Sequence, residues 1–174
     1  MKYLIVEPKL KSVAPNIALM KWARWCENKG YEYQYIRGKV IPKITPDVIF
    51  MSFIFSYYSK NYEDLIDFYL RYCPNAKIII GGVFPTLSPE WFNKPKWMGN
   101  PFFQTENRVS LYCGMNPEIE PLAPKYNVEI TDEEHLSESD RERREQSRKV
   151  IVLYSSRGCV NKCGYCAVPK LEGD

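Results

Sequence analysis

Apolar and polar positions alternate along the first half of the chain in two rhythms. Tyr3-Leu4-Ile5-Val6 is a short continuous apolar run closed by Glu7-Pro8, which predicts a strand buried on both faces. Ile17, Leu19, Met20, Ala23 and Cys26 then recur at helical spacing, with Trp22 and Trp25 widening the apolar face. Pro15 is expected in the first turn of that helix, and Asn28-Lys29-Gly30 supplies a C-cap glycine. Tyr31 to Ile36 alternates and predicts a second strand, near the sheet edge. Val48-Ile49-Phe50-Met51-Ser52 and Lys77-Ile78-Ile79-Ile80 predict two more buried strands. Between them a helix is expected from about Tyr62 to Tyr72, capped by Asn61, with Leu65, Tyr69 and Cys73 on one face and Ile66 and Leu70 beside them.

Strands that alternate with helices in this way predict an α/β fold, with a doubly wound, mostly parallel sheet covered on both sides. In such a sheet the ligand crevice lies outside the carboxyl ends of the strands. Those ends are Glu7-Pro8, Ser52 to Tyr58, and Gly81-Gly82-Val83-Phe84-Pro85-Thr86. Ser52, Gly81 and Gly82 are therefore candidate cofactor-binding residues. Paired glycines let backbone approach a ligand closely or make a tight turn, and both readings stand here.

From Ser88 onward the rhythm weakens. Pro89 to Phe92 predicts one helical turn with Ser88 as N-cap. Pro95, Pro101, Pro117, Pro121 and Pro124 are too many for long helices, and Val109 to Cys113 is the expected last strand of this domain. Asp132 to Lys149 holds seven acidic and five basic residues with almost nothing apolar, which predicts a solvated helix or linker. The expected division is an α/β domain over residues 1–126, a charged linker or helix over 127–149, and the start of a second domain over 150–174.

Composition narrows the class. Apolar content of 45% and aromatic content of 14% over 174 residues are enough for a packed core. A net charge of +3, not gathered into one basic stripe, argues against nucleic acid as the main partner. No apolar run approaches the roughly 20 residues that span a bilayer, and the N-terminal run is a strand and not a signal peptide. The expected location is the cytoplasm, where clustered thiols bind metal more often than they form disulfides.

The densest chemistry lies near the end, where Arg157-Gly158-Cys159-Val160-Asn161-Lys162-Cys163-Gly164-Tyr165-Cys166 follows the β-branched run Lys149 to Tyr154. Three cysteines spaced C-x3-C-x2-C can converge on one metal centre from a single loop and leave a tetrahedral iron or zinc site one ligand short. Structural zinc sites normally use four protein ligands in paired cysteines. Here there is no second pair, and the single histidine, His135, sits in the charged linker. Iron–sulfur clusters are commonly held by several cysteines of one short loop.

That loop, with Tyr165 just before the third cysteine and a strand before it, resembles the cluster loop of radical S-adenosylmethionine enzymes. Ser156-Arg157-Gly158-Cys159 and Ala167-Val168-Pro169-Lys170-Leu171-Glu172-Gly173 resemble the subset preceded by a cobalamin-binding-type domain. Pro46 to Ser52, Lys77 to Gly82, Pro85-Thr86 and Pro89-Glu90 are similar to the later strands of that domain, which is Rossmann-like. The resemblance implies a 4Fe-4S cluster on Cys159, Cys163 and Cys166, its open iron chelated by S-adenosylmethionine, with Tyr165 near the adenine. One electron, from a donor such as a flavodoxin or ferredoxin, would cleave the sulfonium of a complete enzyme acting on a substrate its sequence does not name. Residues 150–174 would be only the first strand and cluster loop of a (β/α) barrel, so the chain looks like an N-terminal part and is expected to be inactive alone. Cobalamin is allowed by the resemblance, but the first domain has no D-x-H-x-x-G and no histidine to coordinate cobalt.

Two alternatives accompany this reading. One is a self-contained iron–sulfur or ligand-binding module without catalysis. The other is part of an enzyme like the tRNA methylthiotransferases, in which Cys26, Cys73 and Cys113 would hold a second cluster. Those three are dispersed in apolar patterns and are expected to be core residues. Tyrosines 31, 33, 35, 57 and 58 are expected to pack in strands rather than to stack on a ligand.

Overall fold

The computed structural model describes residues 1–10, 16–94, 97 and 108–132, with isolated positions 138, 139, 142, 143, 146, 168 and 171 beyond them. Its strands are β1 (Lys2–Glu7), β2 (Glu32–Arg37), β3 (Val48–Ser52), β4 (Lys77–Gly81), β5 (Val109–Leu111) and β6 (Ile130–Asp132). They form one six-stranded sheet in the order β5-β4-β3-β1-β2-β6. Every pairing is parallel, so the fold is α/β and Rossmann-like.

β1 reads as an unbroken apolar run because it lies inside the sheet with both faces covered; Leu4, Ile5 and Val6 are all fully buried. Strand periodicity then divides the core in two. Leu4, Val6, Ile49, Met51, Ile78 and Ile80 face α2 (Ser59–Tyr72), and Tyr3, Ile5, Tyr35 and Phe50 face α1 (Ile17–Asn28). From β1 the chain adds β2 on one side and β3, β4 and β5 on the other. Right-handed crossovers in opposite directions put the two helices on opposite faces. The reversal of strand order between β1 and β3 makes the carboxyl edge there the topological switch point.

Local signals explain the helix ends. The Asn16 side-chain oxygen accepts the Leu19 N–H at 3.3 Å. The helix therefore starts at Ile17 behind an asparagine cap, and Pro15, expected in its first turn, lies outside the described residues. At the other end Gly30 has φ +69°, and the N–H groups of Gly30 and Tyr31 bond the carbonyls of Glu27 and Cys26 at 3.0 and 2.9 Å, as the C-cap glycine predicts. Helix α2 begins before the expected cap. A 3-10 turn at Ser56–Tyr58 leads straight into it, and Asn61 lies inside the helix. Carbonyls at and just past its end are satisfied by Arg108, whose guanidinium donates to Leu70, Cys73 and Ala76 at 3.1, 2.6 and 3.2 Å.

Several expectations are corrected. β6 lies in the segment expected to be linker, so the sheet continues past residue 126 to Asp132 and β2 is one strand in from the edge. With a single apolar residue, Ile130, that strand is defined by its register on β2 (Tyr35 to Ile130, Ile36 to Thr131, Arg37 to Asp132) and not by its own pattern. β5 stops at Leu111, so Tyr112 and Cys113 lie beyond it. Pro89–Phe92 is a 3-10 turn, but the Ser88 side chain makes no capping bond. The helical reading of the charged segment holds at Glu138, Ser139, Glu142, Arg143 and Gln146, which are helical and exposed. The strand expected at residues 150–154 lies outside the described residues. Among the described residues no helix is long and apolar enough to cross a membrane.

A third helix, α3 (Val83–Leu87), follows β4 directly. The stretch from Tyr112 to Glu129 then carries the chain from β5 at one edge to β6 at the other, crossing the face that α1 covers. It is held there by the Trp25 indole N–H donating to Glu118 at 3.0 Å, by the Lys125 N–H donating to the Met20 carbonyl at 3.2 Å, and by a Lys125–Glu27 ion pair. The Lys125 ammonium holds the Glu27 carboxyl below its ordinary range.

Candidate functional site

A cavity of about 270 Å³ opens on the α1 face at the carboxyl ends of β3, β4 and β5. Its floor is Phe50 and Ser52 from β3 with Ile79 and Gly81 from β4, and Gly82 stands at the rim of α3. Ile17, Lys21 and Trp22 of α1 form one wall, and the start of the crossover, Tyr112 to Asn116 with Ile119 and Glu120, forms the cover. Ser52, Gly81 and Gly82, the three candidates taken from strand ends, are thus brought together. Leu171, a short way beyond Cys166, also lines the cavity.

The lining is apolar with a few fixed polar groups. Trp22 stacks on Phe50 with ring centroids 3.9 Å apart, and Phe50 in turn lies parallel to Tyr3 at 5.4 Å. Among the described residues the charged ones in the lining, Lys21 and Glu120, pair with each other at 3.2 Å. Thr86 donates its hydroxyl to the Gly82 carbonyl at 2.8 Å and accepts the Gly114 N–H at 2.9 Å, so it joins α3 to the cover. The Asn16 amide donates to the Ser52 carbonyl at 3.3 Å and fixes the start of α1 against β3. Pockets that enclose whole drug-sized ligands run from about 300 to 1,000 Å³. This one takes a small molecule or one end of a larger one.

The two glycines separate. Gly82 has φ +106°, and a Cβ there would lie 2.5 Å from the Phe53 carbonyl oxygen and 2.9 Å from both the Phe53 nitrogen and the Ser52 hydroxyl. Gly82 is therefore required by the turn itself, which folds back on the end of β3. Gly81 is not so constrained: a Cβ would meet the Tyr112 carbonyl at 3.4 Å, an ordinary contact. Glu7, at the remaining carboxyl end, is occupied in a buried cluster. It pairs with Arg37 at 3.0 Å and accepts the Tyr35 hydroxyl at 2.9 Å. Glu7 and Arg37 are direct register partners, so the pair fixes β1 against β2. Pro8 lines a second cavity, of about 240 Å³, with Lys9, Gly38, Lys39 and Asn61.

The dispersed cysteines do not converge. Cys26 is buried in the α1-side core and Cys73 in the α2-side core, with the sheet between them. Cys113 is exposed, contrary to the expectation of a core residue, because β5 ends before it; its thiol donates to the Pro85 carbonyl at 3.5 Å. They therefore cannot share one cluster. Burial pushes the Cys26 thiol up to about 12 and raises that of Cys73. Tyr33 and Tyr35 pack in β2 as expected and Tyr31 packs just before it, but Tyr57 and Tyr58 lie in the 3-10 turn before α2, where Tyr57 is 72% exposed and stacks on Phe55. Among the described residues no group of three or more histidine, cysteine or acidic side chains could hold a metal. Cys159, Cys163, Cys166 and Tyr165 lie outside the described residues.

Sequence reasoning missed Lys21, Trp22 as cavity lining, and the whole crossover. Lys21 carried a readable signal, because it stands one helical turn after Ile17 on the apolar side of α1. The crossover carried none beyond its prolines. No family model matches the chain, and no curated protein matches it.

Proposed function

We propose that this chain belongs to a radical S-adenosylmethionine enzyme whose cluster loop follows a cobalamin-binding-like domain. The observation that carries the reading is the spacing Cys159-x3-Cys163-x2-Cys166 after a strand-like run. Three thiolates fit a 4Fe-4S cluster and leave one iron for an external ligand. The cluster would supply one-electron reduction of the S-adenosylmethionine sulfonium, drawing on a donor such as a flavodoxin or ferredoxin. Tyr165 would sit beside the adenine.

The α/β domain contributes a ligand cavity at the edge where such sheets bind their ligands, and Leu171 on its lining supports a working relation between the two parts. Ser52, Gly81, Gly82 and Thr86 would hold one end of a cofactor there. If that cofactor is cobalamin it is embraced without a histidine ligand to cobalt, since the only histidine is His135.

Anaerobic reconstitution with iron and sulfide tests the cluster assignment. The expected result is about four iron and four sulfide per chain, lost in the C159A/C163A/C166A variant. No incorporation, or a cluster retained in that variant, overturns the proposal.

A further inference from the structure

Lys21 lines the cavity yet is only 8% exposed, which is unusual for a lysine. A lysine on a helix normally extends its head to water along its apolar stem. Here the ammonium instead folds onto Glu120, donating to that residue's carbonyl at 2.5 Å and to its carboxylate at 3.2 Å. An ammonium has three N–H donors. Among the described residues the third finds no acceptor, beside a lining dominated by Trp22, Phe50, Ile79 and Ile119.

The charge balance says what that donor suits. Among the described lining residues the only charges are those of Lys21 and Glu120, which together are neutral, so an anion would add unbalanced negative charge to that set. A neutral acceptor, a ring nitrogen or a carbonyl, satisfies the donor without that cost. The aromatic stack of Trp22 on Phe50 favours a flat partner.

We propose that Lys21 is the recognition residue of this cavity, donating its third N–H to a neutral acceptor on a planar heteroaromatic group that lies against Trp22. The proposal rests on the cavity being a ligand site, but not on the cluster. The test is a titration of the ¹⁵N-labelled full chain, followed at the Trp22 indole N–H, with quinoline, its hydrocarbon isostere naphthalene, and the anion 2-naphthoate. Quinoline should bind about tenfold more tightly than the other two, as a hydrogen bond to a charged donor implies. In K21M/E120L, which removes both charges and leaves no orphan carboxylate, quinoline and naphthalene should bind alike. Wild-type protein that binds naphthalene or 2-naphthoate as tightly as quinoline, or binds none of them, overturns the proposal, as does a quinoline preference retained in the double variant. Iron and sulfide incorporation is read separately, so failure here and failure of the cluster assignment are distinguishable.

Discussion

The two faces of the sheet share the same strands and differ in what lies over them. On one, α2 packs against residues of β1, β3 and β4 and aromatic rings fill in around it: Phe53 stacks on Tyr62 at 4.1 Å, and Phe84 and Phe92 lie 5.2 Å from each other. On the other, α1 covers β1, β2 and β3, while the ends of β4 and β5 lie under a crossover without helix or strand. A helix presents a continuous stripe of side chains and seals what it covers. A crossing loop meets the sheet only in places, here at Val128, which joins the core around Tyr3 and Tyr35, and leaves the cavity beside it. The tighter aromatic packing lies on the α2 side, and the larger of the two described cavities, about 270 against 240 Å³, lies on the loosely covered one.

Paired truncations put that contrast to the test. Ile66→Ala on the sealed face should lower unfolding free energy by about 2–5 kcal/mol, since a fully buried side chain leaves a void that cannot collapse. Ile79→Ala, on the cavity floor and only partly buried, should cost on the order of 1 kcal/mol because the space beside it already exists. Equal losses in urea unfolding would erase the distinction between the faces. Gly82→Ala combines backbone strain with steric overlap. It should cost about 1–3 kcal/mol for the positive φ, with further loss from the overlap on Phe53, and it should also perturb the Trp22 resonance.

The smallest effect is a chemical one. At pH 8 iodoacetamide should label Cys113 and spare Cys26 and Cys73, read by peptide mass mapping. Cys26 is protonated well above its ordinary range, so its folded pKa is raised. The stability this protects is complete below about pH 9 and should be lost as pH rises through about 12. Fast labelling of Cys26 in folded protein would show that the α1 face opens further than its packing implies.

What could be read in advance followed from whether a residue's role was set by its neighbours in sequence. β1, β3, β4 and both long helices announce themselves because burial on two faces, or on one stripe, writes a local pattern. The strand-end rule brought Ser52, Gly81 and Gly82 to one cavity before any contact was known. β6 stayed hidden because its three residues become a strand only by pairing with β2. The Glu7–Arg37 pair stayed hidden for the same reason: two charges far apart in sequence meet only through register. Lys21 stood inside an apolar stripe, and its partner Glu120 lies across the cavity cover.

The crossover also bears on how the molecule comes to be made. β1 through β4, α1 and α2 can all assemble from segments close in sequence. By contrast, β6 must close on β2 after nearly a hundred intervening residues, a non-local pairing of the kind that forms slowly. The same segment carries the cavity cover. During synthesis, therefore, the sheet can stand with the α1-side cavity uncovered until the crossover has emerged and β6 has paired with β2.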